Sequence, residues 1–133
     1  MTRASARAAV AAALSGAGFD LIVQGAPESF GGKANVAVIT SAGSERRQLA
    51  RAISDDTHRI TVSIYVQRAA SGGAAAEAAL DAFNAATIAA IDALSPTIVF
   101  AQSDAGAQGA PNRRIDGRMY RLERITFTIV NDV

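Results

Sequence analysis

The sequence predicts an α+β domain: a mostly antiparallel sheet of about four to five strands with two helices packed on one face, in the order α-β-β-β-α-β-β. Three observations carry this. Ile60, Val62, Ile64 and Val66 alternate with Thr61, Ser63, Tyr65 and Gln67, the period of a half-buried strand. Residues 74–94 instead place Ala76, Leu80, Phe83, Thr87, Ile91 and Leu94 on one helical stripe. Ile125, Phe127 and Ile129 then alternate with Thr126 and Thr128. Adjacent strands with few crossovers favour antiparallel pairing, one face covered by helices and the other partly polar.

In chain order, residues 3–17 read as the first helix, with Ala6, Val10, Leu14 and Ala17 at helical spacing and Gly16 and Gly18 as its stop. Phe19 to Gln24 is a short apolar run ended by Gly25 and Pro27, as expected of a strand entering a turn. A loop through Gly31-Gly32 leads to a second strand at 35–41. The polar stretch 44–57 is expected to be helical or mobile. The alternating strand follows at 58–68, and Gly72-Gly73 opens the long helix, which Ser95-Pro96 closes because proline disfavours helical geometry in its predecessor. Residues 97–102 are expected as a strand, 103–117 as a loop and 118–130 as a long final strand. The weaker pattern before Leu122 implies a bulge or projecting half-strand near residues 121–124.

The long helix carries a second pattern. Ala78, Ala82, Ala85, Ala89 and Ala93 share a face on which another backbone can come close, and the alanine-rich first helix is the expected neighbour. Ile88 falls on the side of Glu77, Asp81 and Asp92. It reads either as an isolated exposed isoleucine or as a subunit contact.

Composition bounds the function. The 133 residues are half hydrophobic, enough for a single domain over 1–133 with one core. Much of that half is alanine and tryptophan is absent, so the core is modest. Without cysteine there are no disulfides, thiolate nucleophiles or cysteine zinc sites. Polar or charged residues interrupt every apolar stretch before the roughly 18 residues of a membrane span, so no membrane role is expected. A net charge of +1 gives no global field to steer nucleic acid.

Recognisable catalytic frames are missing. His58 follows Asp55-Asp56-Thr57 and reads as part of a turn, since one histidine without cysteine is a poor transition-metal site. Gly31-Gly32-Lys33 departs from a phosphate loop twice, with Pro27 in place of the first glycine and Ala34 in place of Ser or Thr. Gly16-Ala-Gly18 follows a helix and lacks the third glycine of a dinucleotide fingerprint. With no nucleophile elbow and only scattered carboxylates, the expectation is a non-enzyme without cofactor or metal. The arginines cluster by segment, at 46, 47 and 51 and again at 113, 114, 118, 121 and 124. Guanidinium forks suit carboxylates and phosphates alike, so solvated loops, inter-subunit salt bridges and DNA contacts all remain open.

The chain resembles the tail terminator proteins of long-tailed bacteriophages. The likeness covers nearly the whole chain and is carried by Arg7-Ala-Ala-Val10 in an opening helix, Asn35-Val-Ala-Val-Ile39 and Arg59-Ile-Thr-Val-Ser-Ile-Tyr-Val66 as strands, and Ala78 to Leu94 as a long helix ending near Pro96. Gly117-Arg-Met-Tyr120 then runs into Arg124-Ile-Thr-Phe-Thr-Ile-Val130. The resemblance implies a structural virion protein of the tail or neck, assembled in the host cytoplasm. It implies a ring, a hexamer, that caps the tail tube, ends its polymerisation and joins tail to head. Its partners would be further copies of itself, the tail tube protein and a head closure or connector protein, with DNA passing through the lumen without sequence-specific binding. No catalytic residue is implied. The interface candidates are Arg46, Arg47, Arg51, Ile88, Arg113, Arg114 and Arg118. The long glycine-bearing segment at 103–117 equally suits a head-to-tail stopper of the same neck, and the arginines suit a small anion-binding or nucleic-acid-binding module.

Overall fold

The computed structural model describes residues 3–25, 29–50, 53–68, 74–94, 100–103, 108–115 and 117–132. Side chains are described over 4–25, 29–43, 58–68, 74–94, 114–115 and 117–129. The elements are α1 (Arg3–Leu14), β1 (Leu21–Gln24), β2 (Asn35–Ala50), β3 (Ile53–Gln67), α2 (Ala74–Asp92), β4 (Phe100–Ser103), β5 (Gln108–Ile115) and β6 (Arg118–Asp132). The α+β class and the expected element order hold, and residues 108–115 add one strand to the segment read as a loop.

The sheet runs β1-β2-β3-β6-β4, with β5 also on β6. Among the described residues, only the β1–β2 pair is parallel. β6, like β3, is an interior strand. One of its edges pairs with β3, while the other takes β5 beside residues 118–124 and β4 beside residues 127–130. β4 and β5 thus occupy successive levels of the same edge.

Both helices lie on one face of this sheet. Ala6, Val10 and Leu14 of α1 and Ala76, Leu80 and Ile91 of α2 form one core with Ala37, Ile39, Ile60, Val62, Ile64, Ile125, Phe127 and Ile129. Facing positions supply the sheet side of this core: Ile39, Val62 and Ile125 form one row, and Ile60 and Phe127 sit opposite each other in the next. The Arg7 guanidinium donates to Ser41 Oγ at 2.7 Å, which ties α1 to β2 where the β2 register shifts between Ser41 and Gly43. α2 has the length of a membrane span and a mean hydropathy of 1.2. Its buried stripe of Ala76, Leu80, Thr87 and Ile91 rests on the sheet, however, while Glu77, Asp81 and Asp92 are exposed. It is an alanine-rich core helix.

A second, smaller core occupies the opposite face. Phe30, Val36, Val38, Tyr65, Tyr120 and Leu122 cluster there, with Phe30 packed edge-on against both tyrosine rings. The Tyr120 hydroxyl donates to the Lys33 carbonyl at 2.6 Å and Lys33 N–H donates to the Phe30 carbonyl. The loop between β1 and β2 is therefore a strap across the open end of the sheet. Gly31 and Gly32 both have positive φ, the backbone geometry that only glycine adopts without strain, and it turns Phe30 back onto the sheet. This is the role of the Gly31-Gly32-Lys33 motif.

Three expectations are corrected here. Residues 44–50 and 53–57 are strand and not helix; they extend the antiparallel β2–β3 pair. The register sets Arg46 across from Asp56 and Arg47 across from Asp55, and opposite charges at facing positions favour antiparallel pairing. Second, no bulge interrupts β6 at 121–124, because its register with β3 is unshifted from Asp132 to Tyr120. The pattern weakens there because burial changes sides: Tyr120 and Leu122 belong to the second core, and Arg121 and Glu123 lie under the start of α2. Third, Ala78, Ala82, Ala85, Ala89 and Ala93 are exposed, so the alanine stripe of α2 faces solvent. α1 and α2 are in contact, but not through that stripe.

The main core depends on Phe127, which is fully buried on β6, an interior strand. Phe127→Ala is expected to cost about 3–5 kcal/mol, the usual range for deleting a buried aromatic ring. Urea denaturation monitored by circular dichroism measures this, and a loss under about 1 kcal/mol would show that the helices collapse onto the space.

Candidate interaction surface

The arginine segments fall at opposite ends of the sheet. Arg46 and Arg47 lie in the outer part of β2, and Arg51 and the side chains of the other two lie outside the described residues. Arg113 faces Tyr120, and Arg114 faces Met119, in the β5–β6 hairpin. The Arg113 side chain is likewise outside the described set, whereas Arg114 is exposed. Arg118 is exposed too, but its guanidinium is held by the Gly32 carbonyl at 2.9 Å and Gln67 Oε1 at 3.3 Å. It clips the strap to the end of β3.

Ile88 does not stand in water on an acidic face. It is half-buried and packs against the main core. Its neighbours on the helical wheel misled because the sheet underlies more of α2 than one narrow stripe. An Ile88→Asp substitution would accordingly perturb the monomer itself and is a poor probe of assembly.

His58 is buried on the helix-covered face, within β3 and not in a turn. Among the described residues no group of three or more His, Cys, Asp or Glu side chains gathers as a metal site.

The outermost features are the edges of the sheet. β1 pairs with β2 only from Val36 to Ile39. Among the described residues, β2 from Thr40 to Ala50 has a partner on one side alone, β3. The carbonyls of Asn35 and Ile39 point away from β3, accepting from Asp20 N–H and Gly25 N–H. Strand alternation then directs the N–H and C=O of Ser41 the same way, to the open edge. Such a row of free backbone groups is a template for another strand.

A polar seam joins α2 to β6. Arg121 pairs with Glu77, and the Asn84 amide donates to Glu123 Oε1 at 3.2 Å. Burial, with Asp81 and Glu77 nearby, raises the Glu123 carboxyl above its ordinary value; Arg121 and the Asn84 hydrogen bond oppose the shift. The sequence reading passed over this seam because each member, taken alone, is an ordinary surface residue. The i, i+4 and i, i+7 spacing of Glu77, Asp81 and Asn84 was the available signal.

No family model and no curated protein matches the chain. Among solved structures, the chain is similar to one in the virion of a native gene transfer agent particle, at 16% identity over 96% of this chain and 88% of that chain, with a TM-score of 0.36. A likeness at that score does not bear on function.

The seam makes stability depend on pH with a defined sign. Because the folded state raises the Glu123 pKa above 4.5, the native protein holds this proton more tightly than the unfolded chain. The contribution is fully present below the unfolded pKa and is lost as pH rises through the folded one. Glu123→Gln, which keeps an acceptor for Asn84, should therefore gain stability over wild type at pH 7 and lose that advantage near pH 4. Paired urea titrations at the two pH values measure this, and an equal difference at both would show that Glu123 is not the group responsible.

Proposed function

We propose that this protein is a structural, non-catalytic virion component: the protomer of a ring that caps a phage tail tube, ends its polymerisation and joins the tail to the head. The observation that carries the reading is the pair of strand edges at the two sides of one sheet, the long outer part of β2 on one side and the β4–β5 edge on the other. Two different edges meeting copy to copy form a heterologous contact, and heterologous contacts close into rings when the rotation per copy allows. The sequence resemblance to tail terminators supplies the rest: a hexamer as the ring, tail tube protein on one side, a head closure protein on the other, and the virion neck as the location.

Several features support a part completed by its neighbours. The core is built largely of small and β-branched residues, the exposed alanine stripe leaves α2 smooth, and the β2–β3 hairpin runs past the strand β1 that covers its base. The arginines of the hairpin and of the β5–β6 turn stand at the two ends of the sheet, where copies or ring faces would meet.

Light scattering and negative-stain imaging, with and without preformed tail tubes, test the reading. A ring in solution, or a cap at one end of each tube, is the expected result; a strict monomer that ignores tubes would refute it. Ser41→Pro removes an outward N–H without touching the β3 ladder and is expected to abolish assembly while the monomer stays folded. Ser41→Ala, which loses only the Arg7 hydrogen bond, should assemble normally. Assembly by Ser41→Pro at the wild-type level would exclude the β2 edge as the joint.

A further inference from the structure

The two hydrophobic clusters share no residue and lie on opposite faces of the sheet. Helices cover the first, and the strap covers the second. Within residues 29–34 of the strap, Phe30 is the one buried residue, whereas Ser29, Gly31, Gly32 and Lys33 are exposed. The cover thus rests on one buried side chain and on hydrogen bonds at its rim. Tyr120 and Arg118, both on β6, donate to the consecutive carbonyls of Lys33 and Gly32. The Lys33 N–H closes a turn onto the Phe30 carbonyl at 3.1 Å.

The backbone of this segment is suited to turning. Gly31 and Gly32 lack the Cβ that restricts other residues, and they stand directly between Phe30 and the rim. At the far end, the Gln67 N–H donates to the Ala34 carbonyl at 2.8 Å, next to the point where the β2–β3 register begins at Asn35 and Val66. The sheet ends there and the cover begins. Arg118 bridges the two: its guanidinium reaches the Gly32 carbonyl and Gln67 Oε1 and lies 3.6 Å from where a Cβ on Gly32 would stand. Both acceptors are neutral and both bonds are exposed, so water competes for each of them.

We propose that residues 29–34 open as a unit, swinging Phe30 off Tyr65 and Tyr120 while the helix-covered core stays folded, and that Arg118 is the clip that sets how often this happens. Segments with few buried apolar contacts and exposed hydrogen bonds open locally, at a free energy below that of global unfolding. Opening bares Tyr65, Tyr120, Val36, Val38 and Leu122 and leaves every residue of the main core in place. The strap is therefore a conformational device at one end of the sheet. Closed, it hides an aromatic surface; open, it presents one. The inference goes beyond the ring reading and does not depend on it.

Native-state hydrogen exchange tests the assignment. Its probes are the Lys33 and Gln67 amides, bonded to the Phe30 and Ala34 carbonyls, set against the ladder amides around Val62 and Ile125 in the middle of the β3–β6 pair. In wild type the strap amides are expected to exchange far faster than the ladder amides and to respond only weakly to added urea, since a local opening exposes little surface. Arg118→Met should speed exchange at Lys33 and Gln67 about fivefold, the scale of one lost hydrogen bond, with the ladder amides unchanged. Arg114→Met removes the same charge from an exposed position on β5 and should change neither set. A second readout uses the rings themselves: Tyr65 and Tyr120 are the two tyrosines of the chain and there is no tryptophan, so intrinsic fluorescence reports on this site alone. Phe30→Ala should make that emission markedly easier to quench with acrylamide while the helical circular dichroism is retained. Strap amides that exchange only together with the ladder would overturn the proposal, as would an Arg118→Met variant that matches Arg114→Met, or loss of the helical signal along with tyrosine protection in Phe30→Ala.

Discussion

The unbroken pairing of β3 with β6 is the constraint on which the rest of the structure depends. Its register runs without a shift from Asp55 and Asp132 to Gln67 and Tyr120, so the side of the sheet each residue meets is set by parity alone. Along β6 the large apolar residues change parity once: Ile125, Phe127 and Ile129 face the helices, whereas Tyr120 and Leu122 face the strap. A single strand thereby serves two cores on opposite faces. Every other element is placed by this change. The helices cover the first stretch, the aromatic strap covers the second, and the positions left between them become the polar seam on one face and a row of hydroxyls, Thr61 beside Thr126, on the other.

The two faces differ in how they are held. Toward the helices, stabilisation comes from burial of aliphatic side chains, most of them β-branched residues suited to a pleated surface. Toward the strap, a few aromatic rings pack edge-on, and specific hydrogen bonds from Tyr120 and Arg118 to loop carbonyls fix the cover in place. A thin core of small side chains tolerates little loss, which gives the strap an importance beyond its length. Thr87 adds a local cost: its hydroxyl is fully buried in α2 without a hydrogen-bond partner, and an unsatisfied buried polar group is destabilising.

Much of the fold was legible because its strongest signals are periodic. The alternation at 60–66 and 125–129 and the stripe on α2 each report one buried face, and the structure places those residues in the main core. The reading lost accuracy where burial is not the organising force. Residues 44–57 carry almost no apolar period; their order lies in charges that match only after the chain folds back, Arg46 to Asp56 and Arg47 to Asp55, and a linear scan does not see that register. β5 was hidden for a related reason, since Gly109, Pro111 and Asn112 read as loop residues, yet a register shift between Ala110 and Arg113 accommodates them at a sheet edge. Of the candidate surface, the segmental clustering of arginine was visible. The side each arginine occupies was not, because Arg59 and Arg124 come onto one face of the sheet only through a pairing of strands some 65 residues apart.

That separation also shapes how the molecule is made. The β2–β3 hairpin closes locally, whereas the β3–β6 pairing must bring together segments divided by the whole of α2, β4 and β5. Loop-closure entropy has to be overcome before such contacts reward it, and domains dominated by them fold slowly. During that interval the hairpin has a bare edge on each side, the β3 edge awaiting β6 and the outer edge of β2. These backbone groups are then open to the wrong strand, so the yield of this protein should depend on concentration and temperature during folding more steeply than its size alone implies.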